Sequence, residues 1–508
     1  MGCFRQLKLN CAKLSSSWSS HVDWSVGSRE LFGPSGGRVG AGPRNLPLFF
    51  WAEWGGHVNQ SSAEAHPKDR LGRQLSLFDL VMIVVASTVG AGIFLTPGQV
   101  AQLLPSPAWI MAAWVTGAVL SFAGAITNAE LGAMFPRAGG NYVYLREAFH
   151  PLAGFLVGWL TFFAIYAGTV AALASALAEG VGVRLGWSEG MVLLAGVATI
   201  AVISLIHLVS LRWGARANNL TTAFKLLAIG AFVFLGPWMG EGEASRVWAS
   251  SEGEFSVVSF GRALSPVLFS YLGWNASIYV ASEIKDPNRN IPRSLFMGLG
   301  LCALIYLLVN AVYLYAIPLD VFRGIPDAGA AAGEALFGPV GGMLVGLFVL
   351  LSVLGTLNAT ALVGPRIPYA MALDGLFLGG TDKVHPTLGT PTLAIIVQAF
   401  AAIGLLLVLK SFPFVLDFTV FAIILATMAD VLALYRLRRT QPLRARPYRA
   451  WGYPWVPGLY LLTNGAVGLA MLWGSPFECL MGVLMLLAGL PFYLWFASRG
   501  PRVEEGRP

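Results

Sequence analysis

The chain has 508 residues, 56% hydrophobic and 12% charged, with a formal net charge of +7. Soluble domains carry about 25% charged residues, so the composition excludes a water-soluble globule and points to a polytopic membrane protein. The positive excess does not signal nucleic acid, because it follows the loops between apolar runs.

Residues 1–72 differ from the rest. They hold Ser15, Ser16, Ser17, Ser19 and Ser20 and the Gly-rich run Gly36 to Gly40. No apolar region follows Lys8, so this is no secretory signal. Met1-Gly2-Cys3 begins as a myristoylation site does, but Gln6 stands where Ser or Thr is required. A disordered extension, or one upstream of the true start, is expected. Cys3, Cys11, Cys302 and Cys479 imply no disulfide framework. Cys302 reads as a small packing residue rather than a redox thiol.

Twelve apolar stretches are long enough to span a bilayer: 77–103, 107–135, 152–180, 189–210, 216–237, 257–283, 293–317, 338–371, 391–410, 412–436, 455–474 and 477–498. The expected fold is therefore all-α and polytopic, with 12 transmembrane helices. The first stretch is interrupted by Val89-Gly90-Ala91-Gly92-Ile93-Phe94. The second carries Glu130 near one end, the third Tyr166 and the fifth Lys225. The sixth is interrupted by Tyr271-Leu272-Gly273-Trp274-Asn275. Pro365 and Pro368 should end or bend the eighth. Asp430 lies within the tenth.

Basic residues crowd one set of loops, from Arg137 and Arg146 to the cluster Arg436 to Arg449. The opposite set holds only Arg184, Arg246, Arg262, Arg323 and Lys410. This asymmetry places both termini in the cytoplasm, with 499–508 as a cytoplasmic tail. The Arg436 to Arg449 cluster is expected against anionic lipid headgroups.

The two Gly-rich breaks carry the functional argument. Gly costs roughly 1 kcal/mol in a helix interior, and unpaired backbone in lipid costs several kcal/mol per group. Such breaks survive only inside protein or beside a water-filled cavity, and paired broken helices point to a transporter site. Segments one to five (77–237) and six to ten (257–436) each begin with one. Five spans per repeat force opposite orientations, so a five-plus-five inverted repeat is expected, with 455–498 as two extra helices. A broken helix exposes N–H groups and a partial positive charge at one end, and carbonyls at the other. Two facing breaks match the carboxylate and ammonium of an amino acid. Gly90 and Gly92 would let backbone approach the ligand. Close helix packing is the competing explanation of Gly90-x-Gly92 taken alone.

At these residues the chain resembles the amino acid–polyamine–organocation superfamily of permeases, closest to bacterial relatives of the L-type amino acid transporters. The resemblance covers about residues 73–498. It rests on Ser87 to Phe94, on Ala129-Glu130-Leu131-Gly132 through Pro136-Arg137-Ala138-Gly139-Gly140, on Phe269 to Asn275 with Glu283-Ile284-Lys285-Asp286-Pro287, and on Gly364-Pro365-Arg366 with Ala372-Leu373-Asp374-Gly375. It implies a LeuT-like fold working by alternating access across the cytoplasmic membrane. The carboxylate would sit on the backbone from Ser87 and Thr88 through Val89, Gly90, Ala91 and Gly92. The amine and side chain would meet Phe269, Ser270, Tyr271 and Leu272, with Phe269 as a gate or a packing aromatic. Ala91 replaces a Ser of many members, and Leu272 replaces the Gly of large-substrate members. Leu272 should favour small or medium neutral side chains.

Lys225 lies about nine residues, or roughly 13 Å, into the fifth span. An intramembrane lysine is a functional candidate. The resemblance implies proton coupling at Lys225 without sodium. Amino acid exchange is the alternative, with Lys225 as a fixed ammonium bridging the first, fifth and eighth helices toward Ser352, Thr356 and Asn358. Glu130 is a candidate cytoplasmic gate or salt-bridge residue, or a simple interfacial one. Tyr166 is a candidate lining residue. Asp430 is expected to pair with a nearby Arg, with proton relay as the alternative.

An enzyme would need a nucleophile and base, or metal ligands, in a pocket. The six histidines show no ligand spacing, and no phosphate-binding loop occurs. No cofactor, metal or nucleic acid is expected; lipid, an amino acid and a proton are the expected partners. A non-transporting amino acid sensor is a remote alternative. The loop from Val183 to Glu189 has no Cys, so no disulfide-linked heavy chain is expected. The glycosylation patterns at Asn59 and Asn219 fall in expected cytoplasmic segments and are discounted.

Overall fold

The computed structural model describes residues 66–249, 254–409 and 412–499. The lipidation, Cys3, Cys11, Asn59 and Lys410 readings, residues 1–65 of the extension, and 500–508 of the tail lie outside the described residues. Apart from one isolated β-bridge, Leu75 to Ile284, the described regular structure is helical.

Ser76 starts the first helix with a capping box. Its hydroxyl accepts from the Asp79 N–H, and an Asp79 oxygen accepts from the Ser76 N–H at 2.8 Å. Helix α1 (Leu77–Thr88) then stops, Val89 turns out at ψ 82°, and the chain resumes as α2 (Gly92–Leu95) and α3 (Pro97–Leu103). The second span is α4 (Pro107–Met134), capped by Ser106 with Pro107 in its first turn. A short α5 (Asn141–Ala148) leads to α6 (Pro151–Leu160), which passes through a π-helical turn, Thr161–Ala167, into α7 (Gly168–Leu185). Helices α8 (Glu189–Val209) and α9 (Leu211–Met239) complete the first half.

The second half opens with α10 (Val257–Ser270), the break Tyr271 to Asn275 and α11 (Ala276–Tyr279). Helix α12 (Pro287–Ala316) follows, then α13 (Leu319–Phe322) and α14 (Ala328–Val363). Helix α14 kinks at Gly338, whose φ of 74° a residue with Cβ adopts only under strain. Pro365 separates α14 from α15 (Arg366–Leu373). The last helices are α16 (Thr392–Leu409), α17 (Phe412–Thr440), α18 (Trp455–Gly474) and α19 (Pro476–Arg499).

Ten helices among the described residues are long and apolar enough to cross a membrane, and α10 and α16 are shorter apolar helices. The sixth expected stretch is short because its backbone leaves the helix at Tyr271. Large apolar side chains such as Leu194, Phe234, Leu347, Leu462 and Leu487 face outward, as lipid-facing surfaces require. Helix α12 packs on α4 and α1, and α14 on α9 and α7, around the two breaks. Residues 66–75 are laced into this core rather than standing apart. Leu71 packs with Ala138, Tyr369 and Leu373, and Asp69 accepts from Ser282 and Tyr369 at 2.5 and 2.8 Å.

Candidate functional site

The two breaks meet each other. A Cβ on Gly92 would lie 2.8 Å from the Ser270 Cα, and one on Gly273 would lie 2.5 Å from the Ser87 carbonyl oxygen. Gly273 also needs φ +96°. The glycines are thus required where α1–α2 and α10–α11 touch. A Cβ on Gly90 would stand 3.2 Å from Thr356 Oγ1. Their bare faces meet protein, and Gly90, Gly92 and Gly273 also border open space.

Carbonyls freed at the end of α1 find donors on other helices. The Thr88 oxygen accepts the Gly90 N–H at 2.9 Å. The Tyr306 hydroxyl on α12 lies 2.7 Å from both the Thr88 and Ser270 oxygens. It has one proton for two carbonyls, one from each break. Ser270 Oγ also contacts Thr96 Oγ1 at 2.9 Å. In the short helix after the first break, Phe94 and Leu95 donate to the Ala91 oxygen. The N–H groups of Ala91, Gly92 and Ile93 therefore precede the first intrahelical bond.

Beside these groups lies a cavity. Counted as space open to water centres it is about 130 Å3, where one water needs roughly 10–15 Å3. It has room for several waters or one small zwitterion. Ser87, Thr88, Gly90, Ala91 and Gly92 line it from the first break. Phe269, Ser270, Leu272 and Gly273 line it from the second. Val89 and Tyr271 do not. Val89 is fully buried, and Tyr271 turns away, donating to the Trp114 oxygen at 3.2 Å and packing on Tyr306. Thr360 on α14 and Thr419 and Thr427 on α17 add hydroxyls to the wall.

Tyr166 also lines the cavity and stands edge-on to Tyr279, ring centres 5.1 Å apart. It sits in the π-helical turn, where the extra residue re-aims a side chain. Tyr279, Asn141 and Asn275 close the wall, the Tyr279 hydroxyl donating to Asn141 Oδ1 at 2.5 Å.

Lys225 is 1% exposed. Its ammonium donates to the Val89 oxygen, to Thr356 Oγ1 at 3.1 Å and to the Ala86 oxygen at 3.5 Å. It bridges α9, the broken end of α1 and α14. Of the polar face expected around it, only Thr356 touches it directly. Ser352 donates to the Val89 oxygen, and the Asn358 oxygen meets His207 Nε2 at 3.0 Å.

Glu130 is fully buried at the end of α4 and gathers four hydrogen bonds from three residues far along the chain. Arg438 binds it through two nitrogens at 3.0 and 2.6 Å, Arg446 at 3.1 Å, and the Ala450 N–H at 2.6 Å. A second buried ion pair joins Glu283 to Arg366 through two bonds of 3.0 and 2.8 Å. Both residues lie within the quoted family motifs, but nothing local in the sequence pairs them. Asp374, at the end of α15, contacts Arg146, Tyr142 and His66. Burial pushes its carboxyl upward, but the His66 hydrogen bond, the Arg146 charge and the Tyr142 hydrogen bond outweigh it and hold it below the usual range. Asp430 pairs with no Arg, contrary to the structural pairing expected for it; among the described residues no ion pair includes it. The reason is reach: Arg436 and Arg438 of the same helix are drawn to the Ala148 oxygen and Glu130. No group of three or more His, Cys, Asp or Glu among the described residues could hold a metal ion.

A lined cavity between two broken helices in a bundle of apolar helices is how solute carriers are built. Residues 75–505 match the model of the amino acid permease family. The chain belongs to that family. It is similar to the serine/threonine exchanger SteT of Bacillus subtilis (strain 168), at 28% identity over 85% of this chain and 99% of the relative. It is similar to the human large neutral amino acids transporter small subunit 2, at 27% identity over 83% of this chain and 80% of the relative. It also resembles the human b(0,+)-type amino acid transporter 1, at 28% identity over 84% of this chain and 88% of the relative. The permease is a multi-pass membrane protein of a transporter family and not an enzyme.

Proposed function

We propose that this permease moves L-amino acids with small or medium neutral side chains across the cytoplasmic membrane by alternating access. The observation that carries the reading is the cavity between mutually packed breaks, lined by main chain from both. The substrate carboxylate sits on the N–H groups from Ala91 onward, where the short helix begins. The ammonium faces carbonyls of the second break, and the side chain projects toward Phe269 and Leu272. Twelve spans in a five-plus-five inverted repeat over 77–237 and 257–436, with α18 and α19 added, accommodate the pairing of the breaks. Residues 73–498 form the transporter domain, residues 66–72 pack on it at the end of a preceding extension, and 499–508 form a tail. Both termini lie in the cytoplasm. Anionic lipid meets the Arg436 to Arg449 region, and no disulfide-linked heavy chain is required.

In this reading transport is linked to protons, and Lys225 is the coupling residue. Its ammonium ties the broken end of α1 to α14, so its state is felt at the cavity wall. Glu130 and its arginines lock one end of the bundle and act as a gate. Phe269 is the gate on the other side. Exchange of one amino acid for another is the second reading, favoured by the similarity to a serine/threonine exchanger and by the fully bonded state of Lys225.

Uptake of radiolabelled serine into proteoliposomes tests both, first with an outside-acid pH gradient and then with internal serine. Stimulation by the gradient supports proton linkage, and stimulation by internal serine alone supports exchange. Lys225→Ala should abolish coupled uptake; wild-type rates in that variant refute its role. Absence of flux for all neutral amino acids refutes the transport reading itself.

A further inference from the structure

Thr419, Ile423, Ala426 and Thr427 of α17 line the cavity. Their spacing puts them on one helix face, and Asp430 is the next position of that face, one turn further on. Asp430 is 1% exposed. Among the described residues neither of its carboxyl oxygens meets a hydrogen-bond partner. Asn128 Oδ1 and the Tyr144 hydroxyl of α5 are also buried without partners. Helices α4, α5 and α18, which carry Asn128, Tyr144 and Tyr460, pack on α17. Beyond them lie Tyr166, packed on Tyr279, and Glu130, held by Arg438 and Arg446.

Unpaired buried acceptors in a native fold require an explanation. Lys225 is held by three acceptors, whereas among the described residues no cation pairs with Asp430. A bare carboxylate at that depth is costly. A proton on Asp430 removes the charge and turns one of its two oxygens into a donor. Tyr279 and Asn141, hydrogen-bonded to each other, form part of the cavity wall.

We propose that Asp430 is a proton-binding site of the transport cycle, neutral in this conformation and opened to water when the Tyr279–Asn141 contact parts. On opening, the carboxyl O–H bond breaks, the proton passes to water, and the carboxylate remains until a proton returns from the other side. This rests on the transport reading above and adds a site distinct from Lys225.

The test uses the full chain in proteoliposomes, with radiolabelled serine, alanine and threonine as separate probes. For wild type, a gradient of one pH unit should raise accumulation by up to about tenfold. Asp430→Asn copies the neutral acid without an exchangeable proton. It should keep exchange against internal amino acid and lose the gradient stimulation, whereas Lys225→Ala should impair both. Gradient stimulation of Asp430→Asn equal to wild type overturns the proposal. So does a wild type that exchanges but ignores the gradient, a result that leaves the permease reading standing. No wild-type flux in either mode removes the transport reading instead. If Asp430→Asn does not fold, Asp430→Glu keeps the acid and should shift the pH midpoint of uptake; an unshifted midpoint overturns the proposal.

Discussion

Leu272 offers the sharpest handle on specificity. It lies in the turn after α10, its N–H bonded to the Phe269 oxygen at 3.0 Å. Its side chain lines the central cavity and also a neighbouring space of about 30 Å3, bounded by Leu268, Val420, Ile424, Tyr460 and Val467. The two spaces share Phe269, Leu272, Gly273, Asn275, Ile423 and Thr427. Leu272→Gly removes part of that shared wall, so that the space of about 130 Å3 and its neighbour merge and gain the volume of the lost side chain. The backbone cost is small, roughly 0.5–1 kcal/mol for Gly, because the position is already outside a helix. Burying a phenylalanine side chain in the merged space is worth about 1.5–3 kcal/mol, which converts to roughly 10- to 100-fold in affinity. The assay is inhibition of radiolabelled serine uptake by unlabelled phenylalanine and by alanine. The wild type should prefer alanine, and Leu272→Gly should move the ratio of inhibition constants toward phenylalanine by at least about tenfold. An unchanged ratio in a variant that still takes up serine would refute the placement of the substrate side chain. Tryptophan uptake rivalling that of alanine in wild type would contradict the same reasoning.

Tyr306→Phe removes the one hydroxyl shared by the carbonyls of both breaks. It should cost about 1–3 kcal/mol for the buried oxygens left unpaired, and uptake should fall while a melting curve in detergent stays cooperative; full activity would refute the bridging role. Glu283→Leu should destabilise by about 3–5 kcal/mol, because Arg366 then keeps a buried uncompensated charge. The double variant Glu283→Leu with Arg366→Met should recover much of that loss, read as the thermal midpoint of the purified protein. For Asp374 the folded carboxyl is held below its usual range, so its stabilisation is present above the unfolded value of about 3.9 and is lost as pH falls through the lower folded value. Asp374→Asn should therefore lower the thermal midpoint at neutral pH, with the deficit closing on strong acidification; a deficit independent of pH would sink the assignment.

Much of the architecture is written in local pattern. Apolar run length sets the candidate spans, and Gly90, Gly92 and Gly273 mark where a helix cannot run on without cost. The observed helices begin and end within a few residues of the expected stretches. The main exception is the eighth, which starts at Ala328, because Gly338 bends the helix rather than beginning it. Lys225 and Glu130 were also visible, since a charge inside an apolar run is conspicuous wherever its partners are.

Those partners were not visible, and the reason is chain separation. Helical period and hydropathy act over a few residues, whereas Arg366 meets Glu283 across 83 positions and Arg438 meets Glu130 across 308. The same limit hid Tyr306, an ordinary aromatic on an apolar helix until packing set its hydroxyl between two carbonyls. It hid the direction of Tyr271, whose ring chose Trp114 and Tyr306 over the cavity. It hid the solitude of Asp430 as well, because the arginines near it in sequence have partners elsewhere. Composition and spacing alone determined that helices break inside the apolar bundle. Which atoms the breaks present, and which buried charges lack a partner, was decided by long-range packing, where each donor goes to the acceptor the fold brings within reach.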